Sequence, residues 1–181
     1  MKDYHVLEAR NGREVEMRRR SSLLLLAFAP GIFGCVQPLA PDPAATPVPV
    51  VRLRAEPYSF ASYSGLIEPQ RLVVRDPAAW AETWAVIWAR HSPLPELPQV
   101  DFAHEMLVVA ALGARSTGGY GIVVDSAVAT ADHVDVWIRT ISPGSGCVVT
   151  LAVSQPVDIA RLPRSDGVVR FHDRTEEHTC Q

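Results

Sequence analysis

The sequence predicts an α+β fold: a mainly antiparallel, curved β-sheet with one Trp-rich helix packed against it. Three observations carry this. Trp80, Trp84, Ile87 and Trp88 recur at helical spacing along one face. Met106–Leu112 is an unbroken apolar run, as expected of a central strand covered on both faces. The runs after it alternate in polarity and are separated by turn residues, which favours antiparallel neighbours.

The elements follow in order. Arg71–Arg75 reads as a short strand. Asp76-Pro77 opens the helix: Asp76 can cap the free N–H groups, and Pro77 stands at the first helical position, where its missing donor costs nothing. Pro93 and Pro95 end the helix. Asp101-Phe102 starts the central strand, with Asp101 placed to accept from nearby backbone N–H groups. Tyr120, Ile122, Val124, Ser126 and Val128 alternate with smaller or polar residues, and Val134, Val136, Ile138 and Thr140 repeat the pattern. Val149, Leu151 and Val153 predict a further strand, and Val168–Phe171 the last. Asp132-His133 and Pro143-Gly144-Ser145-Gly146 are the turn signals between them. A polar tail follows.

The composition, 48% hydrophobic and 20% charged, is that of a globular chain. Residues 35–181 carry eleven Arg, no Lys and sixteen acids. This acidic balance, with its Arg residues scattered, argues against a nucleic-acid partner, which needs a basic face.

The front of the chain reads as an export segment. Arg18, Arg19 and Arg20 precede an apolar stretch, Leu23–Phe33, too short to span a bilayer and interrupted by Pro30-Gly31. Met17 is a second candidate start, because Met17-Arg-Arg-Arg is a positive n-region by itself. Ile32-Phe33-Gly34-Cys35 resembles the lipobox of bacterial lipoproteins. That resemblance implies cleavage after residue 34, lipidation of Cys35, and export to the bacterial cell envelope, held at a membrane by lipid alone. Pro38, Pro41, Pro43, Pro47 and Pro49 make residues 35–51 a semi-rigid tether, with the globular domain at 52–181.

Cys35 aside, two of the three Cys remain. Outside the cytoplasm an even pair usually oxidises, so a Cys147–Cys180 disulfide is expected. Two free thiols, or metal ligation with His172 and His178, are the other readings.

Gly113-Ala-Arg-Ser-Thr-Gly-Gly-Tyr-Gly121 is the most unusual segment. A phosphate cradle fails on chemistry, because Gly119 stands where a P-loop needs Lys. Two readings stay open: a protein-contact loop with Arg115, Thr117, Gly118, Gly119 and Tyr120 as contact residues, or a tight structural connection. The helix tryptophans read as core, not as a ligand platform. His172, Glu176, Glu177, His178 and Cys180 match no standard zinc spacing and read as a solvated tail. Asp101, His104 and Glu105 could supply acid–base groups for a hydrolase, but no nucleophile motif accompanies them. No catalytic residue, metal or cofactor is expected.

Taken in order, Ser64-Gly65, the strand to Arg75, Trp80, Trp84, Val100-Asp101-Phe102, the apolar strand ending at Gly113, Arg115 and Thr117-Gly118-Gly119-Tyr120 resemble the PrcB C-terminal domain family from about residue 60 to 172. The family is named for a lipoprotein subunit of a bacterial surface protease complex. The resemblance implies a non-enzymatic domain that associates with a protein partner, in its namesake a secreted protease that it stabilises. A purely structural envelope lipoprotein is the bland alternative.

Overall fold

The computed structural model describes residues 45–53 and 62–180, all within one compact unit. Cys35 and the export segment lie outside the described residues. The described elements are β1 (Thr46–Val48), β2 (Val51–Arg52), β3 (Gln70–Val74), α1 (Pro77–Ile87), β4 (Glu105–Ala111), β5 (Gly121–Ala129), β6 (His133–Pro143), β7 (Val157–Pro163) and β8 (Val168–His178). They form two four-stranded sheets: an outer sheet in the order β1-β5-β6-β8 and a middle sheet in the order β2-β7-β4-β3. All pairings are antiparallel except β6 with β8.

The class, mainly antiparallel β with one helix, agrees with the sequence. The single sheet does not, and β4 gives the reason. Leu107, Val109 and Ala111 face one cluster with Trp80, Trp84, Ile87 and Trp88. Met106, Val108 and Ala110 face another with Ile122, Val124, Val136 and Ile138 of the outer sheet. A strand apolar on both faces needs a layer on each side, and one 11-residue helix covers only one.

The helix is built as its sequence dictates. Asp76 accepts from the Ala79 N–H at 2.9 Å, and Pro77 takes the first turn. The tryptophans pack in series, tilted by 59° and 53°, with ring centroids 5.1 and 5.4 Å apart. Trp80 and Trp84 donate their indole N–H to the carbonyls of Pro98 and Pro95, each at 3.0 Å. The Pro-rich stretch after the helix therefore also satisfies the polar edge of the tryptophan row. Gly65 is required where it stands: a Cβ there would meet the Val86 carbonyl oxygen at the end of α1.

Four further expectations change. Among the described residues the first paired strand starts at Thr46, ahead of Arg52, so part of the Pro-rich stretch belongs to the sheets. Pro47 is tolerated because β1 is an edge strand, and Val48 and Val50 pack on the inter-sheet core. Val149, Leu151 and Val153 form no strand. The polar tail is one: β8 runs to His178, parallel to β6, with only Val169 and Phe171 turned onto the core. Finally, residues 157–163 carry no strand pattern, because Asp158 and Arg161 interrupt the apolar run, yet β7 lies beside β4 along seven residues.

Asp158 explains how a carboxylate fits there. It is 3% exposed and accepts from the Val124 N–H at 2.8 Å, next to the register shift between Val124 and Ser126. Arg52 Nε lies 3.3 Å from the same oxygen, and its Nη2 donates to the Val124 carbonyl at 3.3 Å. Burial pushes the Asp158 pKa up, while the Val124 N–H and Arg52 pull it back. A folded pKa above the unfolded one means stability greatest below the ordinary Asp range and lost as pH rises through the folded value.

Asp158→Ala leaves the buried Val124 N–H without its acceptor and Arg52 Nε without its carboxylate, so it should cost about 1–3 kcal/mol in urea denaturation. An unchanged midpoint would remove Asp158 from this account. Asp158→Asn abolishes the titration, and its stability should decline less than that of the wild type as pH rises above the ordinary Asp range.

Candidate functional site

The glycine-rich segment is laced to two others. Arg115 and Ser154 exchange backbone hydrogen bonds at 2.8 and 3.0 Å, and Ser154 Oγ donates to the Thr117 carbonyl at 2.8 Å. The Gly118 N–H donates to the Thr150 carbonyl at 2.9 Å. On the other side, Gln155 N–H reaches the Ser62 carbonyl at 2.7 Å, and Ala114 N–H the Ile67 carbonyl at 2.9 Å. Residues 62–67, 112–118 and 150–156 thus form one knot at one end of the sheets. Gly119 has φ +85°, and a Cβ there would lie 2.8 Å from Val149 Cγ1.

Of the contact residues the sequence singles out, Arg115 and Tyr120 meet, the guanidinium carbon 5.8 Å from the ring centroid. Arg115 Nη2 donates to the Leu112 carbonyl at 3.0 Å, while its Nε is buried without a partner. Tyr120 is partly buried against the inter-sheet core and, with Ser62, Ile122, Ile141 and Pro156, lines a cavity of about 250 Å³. Thr117 and Gly118 are committed to the knot through their backbones. The loop is thus fixed in place by its neighbours, with Arg115 and Tyr120 at its two ends.

The exposed apolar groups come from its neighbour. The Cys147–Cys180 disulfide ties the start of that segment to the end of β8. The Cys147 N–H donates to the Gly144 carbonyl, and the Gly144 N–H to that of His178. Between these anchors and Ser154, Val148 is fully exposed and Leu151 is 94% exposed. Val153, Tyr63 and Ile67 each leave about half of their surface to solvent. The sequence hid this exposure: alternation at Val149, Leu151 and Val153 imitates a strand. The flanking signals, Pro143–Gly146 before it and Gln155-Pro156 after it, mark a bounded loop equally well.

The outer face of the outer sheet brings together side chains that the sequence left apart. Asp135 Oδ1 lies 2.7 Å from His172 Nε2, and its Oδ2 3.0 Å from His133 Nε2. Trp137 stacks on His172, centroids 5.1 Å apart and planes 21° from parallel. Arg139 grips Asp125 with Nε at 2.9 Å and Nη2 at 3.1 Å, Arg174 adds a third bond at 2.8 Å, and Glu176 lies 3.2 Å from Arg139 Nη1. His172 holds the Asp135 pKa down, and Arg139, then Arg174, hold that of Asp125 down. Folded values below the unfolded ones give stability that is full above the ordinary Asp range and lost as pH falls through the folded value.

Asp101 and His104 form an exposed pair at 2.8 Å, and Asp101 also accepts from the Ala103 N–H at 3.1 Å, the local turn its sequence predicts. The hydrogen bond from His104 lowers the Asp101 pKa, and Asp101 raises that of His104. Glu105 pairs with Arg161 at 3.9 Å. The C-terminal group is spread along β8: His172 faces Asp135, Glu176 faces Arg139, and Cys180 is in the disulfide. Among the described residues, no three His, Cys, Asp or Glu side chains converge as metal ligands would.

Opening the disulfide by Cys147→Ser with Cys180→Ser should cost about 3–4 kcal/mol on the chain-entropy model for a loop of 33 residues. It should also raise amide hydrogen exchange selectively over residues 148–153. Exchange that rises equally across β4 and β7 would show that the bridge holds the whole fold and not this segment.

No curated protein and no solved structure matches the chain. A family model does, over residues 106–163, about a third of the chain. That stretch runs from β4 to β7. It holds the glycine-rich loop, the centre of both sheets and the exposed segment, while Ser64-Gly65, Trp80, Trp84 and Val100–Phe102 fall outside it. The family is described as PrcB C-terminal, and residues 106–163 are similar to it.

Proposed function

We propose that this domain is a tethered protein-interaction module that binds without transforming its partner. The observation that supports this best is the exposure of Val148, Leu151, Val153, Tyr63 and Ile67 on or beside segments bonded to one another. These are apolar side chains held in solvent on a disulfide-anchored, hydrogen-bonded framework. Exposed apolar groups on a rigid base mark a contact surface. The partner is a protein, and the family name points to a protease complex. Arg115 and Tyr120 hold the framework in shape, and residues 148–153 supply the contact area.

Lipidation at Cys35 completes the reading. The acyl chain keeps the domain at the cell envelope, and the stretch before Thr46 spaces it from the membrane. The intact mass of the membrane-extracted chain should show a diacylglyceryl adduct on an N-terminal Cys35. A soluble product with a free Cys35 thiol would refute the anchor.

Val148→Ser with Leu151→Ser should leave the melting temperature almost unchanged, because both side chains are already in water. The same variant should lose at least tenfold in affinity for the partner co-purified from the native envelope, measured by calorimetry. Equal affinity in variant and wild type would remove this surface from the account.

A further inference from the structure

Of the four tryptophans, Trp80, Trp84 and Trp88 are buried beside α1. Trp137 is different. It stands partly exposed on β6, on the outer-sheet face turned away from the inter-sheet core. Two depressions flank it and share it with Val128 as a wall. One, of about 320 Å³, is lined by Asp125, Ser126 and Arg174. The other, of about 400 Å³, is lined by Pro47, Thr130, His133 and Asp135. Both reach the lower end of the size range of small-ligand sites, about 300–1,000 Å³.

We propose that this face is a binding site for a neutral oligosaccharide, with Trp137 as the platform on which a pyranose ring stacks. Three features select that chemistry. The indole offers a flat apolar surface for the C–H groups of a sugar ring, and the stacked ring of His172 on the neighbouring strand fixes its plane. Each depression mixes acceptors and donors: Asp125 with Arg174 and Ser126 in one, Asp135 with His133 and Thr130 in the other. A sugar hydroxyl is donor and acceptor at once and fits such mixed sites. The charges also balance: Asp125, Asp135 and Glu176 stand against Arg139, Arg170 and Arg174. An anion would meet the carboxylates and a cation the guanidinium groups, whereas a neutral polyol meets neither penalty.

The site is set before any ligand arrives. Asp125 is held by three short bonds from two arginines, and Asp135 by two histidines. Side chains fixed in this way lose little freedom on binding. The surface is separate from the exposed apolar segment, so the two can be tested apart.

The probes are cellotetraose and the tetramer of N-acetylglucosamine, offered to the mature chain at up to about 10 mM, the weak end of specific binding. Saturable protection from acrylamide quenching is expected, and it reports Trp137 because the other three tryptophans are already shielded. Calorimetry reads the variants, because those at position 137 lack the reporting indole, and Trp137→Ala should abolish binding. Trp137→Phe, which keeps a ring against His172, should retain part of the affinity, and Asp135→Asn should lose roughly tenfold. Val148→Ser with Leu151→Ser should bind sugar as the wild type does, which separates this site from the protein-contact surface. Failure of both tetramers to bind the wild type overturns the proposal, and so does a folded Trp137→Ala variant with wild-type affinity.

Discussion

The constraint that organises this domain is the burial of β4 on both faces. Six of its seven residues are buried, and alternate side chains enter different clusters. Neither cluster is optional, because each face left to water would expose three apolar side chains, at about 25 cal/mol per Å². Everything else is arranged as cover. The tryptophan row of α1 takes one face, and β5 and β6 take the other.

Such a sandwich has two open sides, and the sequence closes them by different means. On one side the chain itself crosses from β1 in the outer sheet to β2 in the middle sheet within a few residues. On the other, the edge strands β3 and β8 are joined by side chains. Arg71 Nη2 lies 2.6 Å from Asp173 Oδ1, and Arg75 donates to the carbonyls of Ser165 and Gly167 at 2.8 and 2.9 Å. Asp158, tied to Val124 and Arg52, links the sheets again in the interior. Arg71, Arg75 and Asp158 thus mark places where the two sheets are fixed to one another.

That division explains what could be read from the sequence. The helix, its cap and its buried face were legible, because capping and 3.6-residue periodicity are local. So were the burial of β4 and the pairing of Cys147 with Cys180. What escaped was set by partners far along the chain. Asp158 breaks the apolar pattern of β7 because its own partner is Val124, 34 residues earlier. The second half of β8 is polar on both faces and carries no period-2 signal, since its charges answer those of β5 and β6. Residues 149–153 show the reverse error: alternation without a neighbouring strand to pair with. The glycine-rich loop was found by composition, but its exposed partner was not, because exposure of Leu151 depends on the backbone bonds that hold it.

Those bonds are what allow Leu151 and Val148 to remain in water. A free loop bearing such side chains would turn them onto the nearest apolar surface, and the gain would oppose any later contact. Here the backbone is already committed at Gly118–Thr150, at Arg115–Ser154 and at Cys147–Cys180. The loop cannot collapse without breaking several of them, each worth about 1 kcal/mol or more when left unpaired. The ordering entropy of the segment is therefore spent during folding and not at the moment of contact. Glycines serve the same end from the other strand of the knot: without a Cβ at 118 and 119, the loop lies close enough to Thr150 and Val149 to hold them. An apolar surface made rigid in this way is a property of three chain segments together, and none of the three carries it alone.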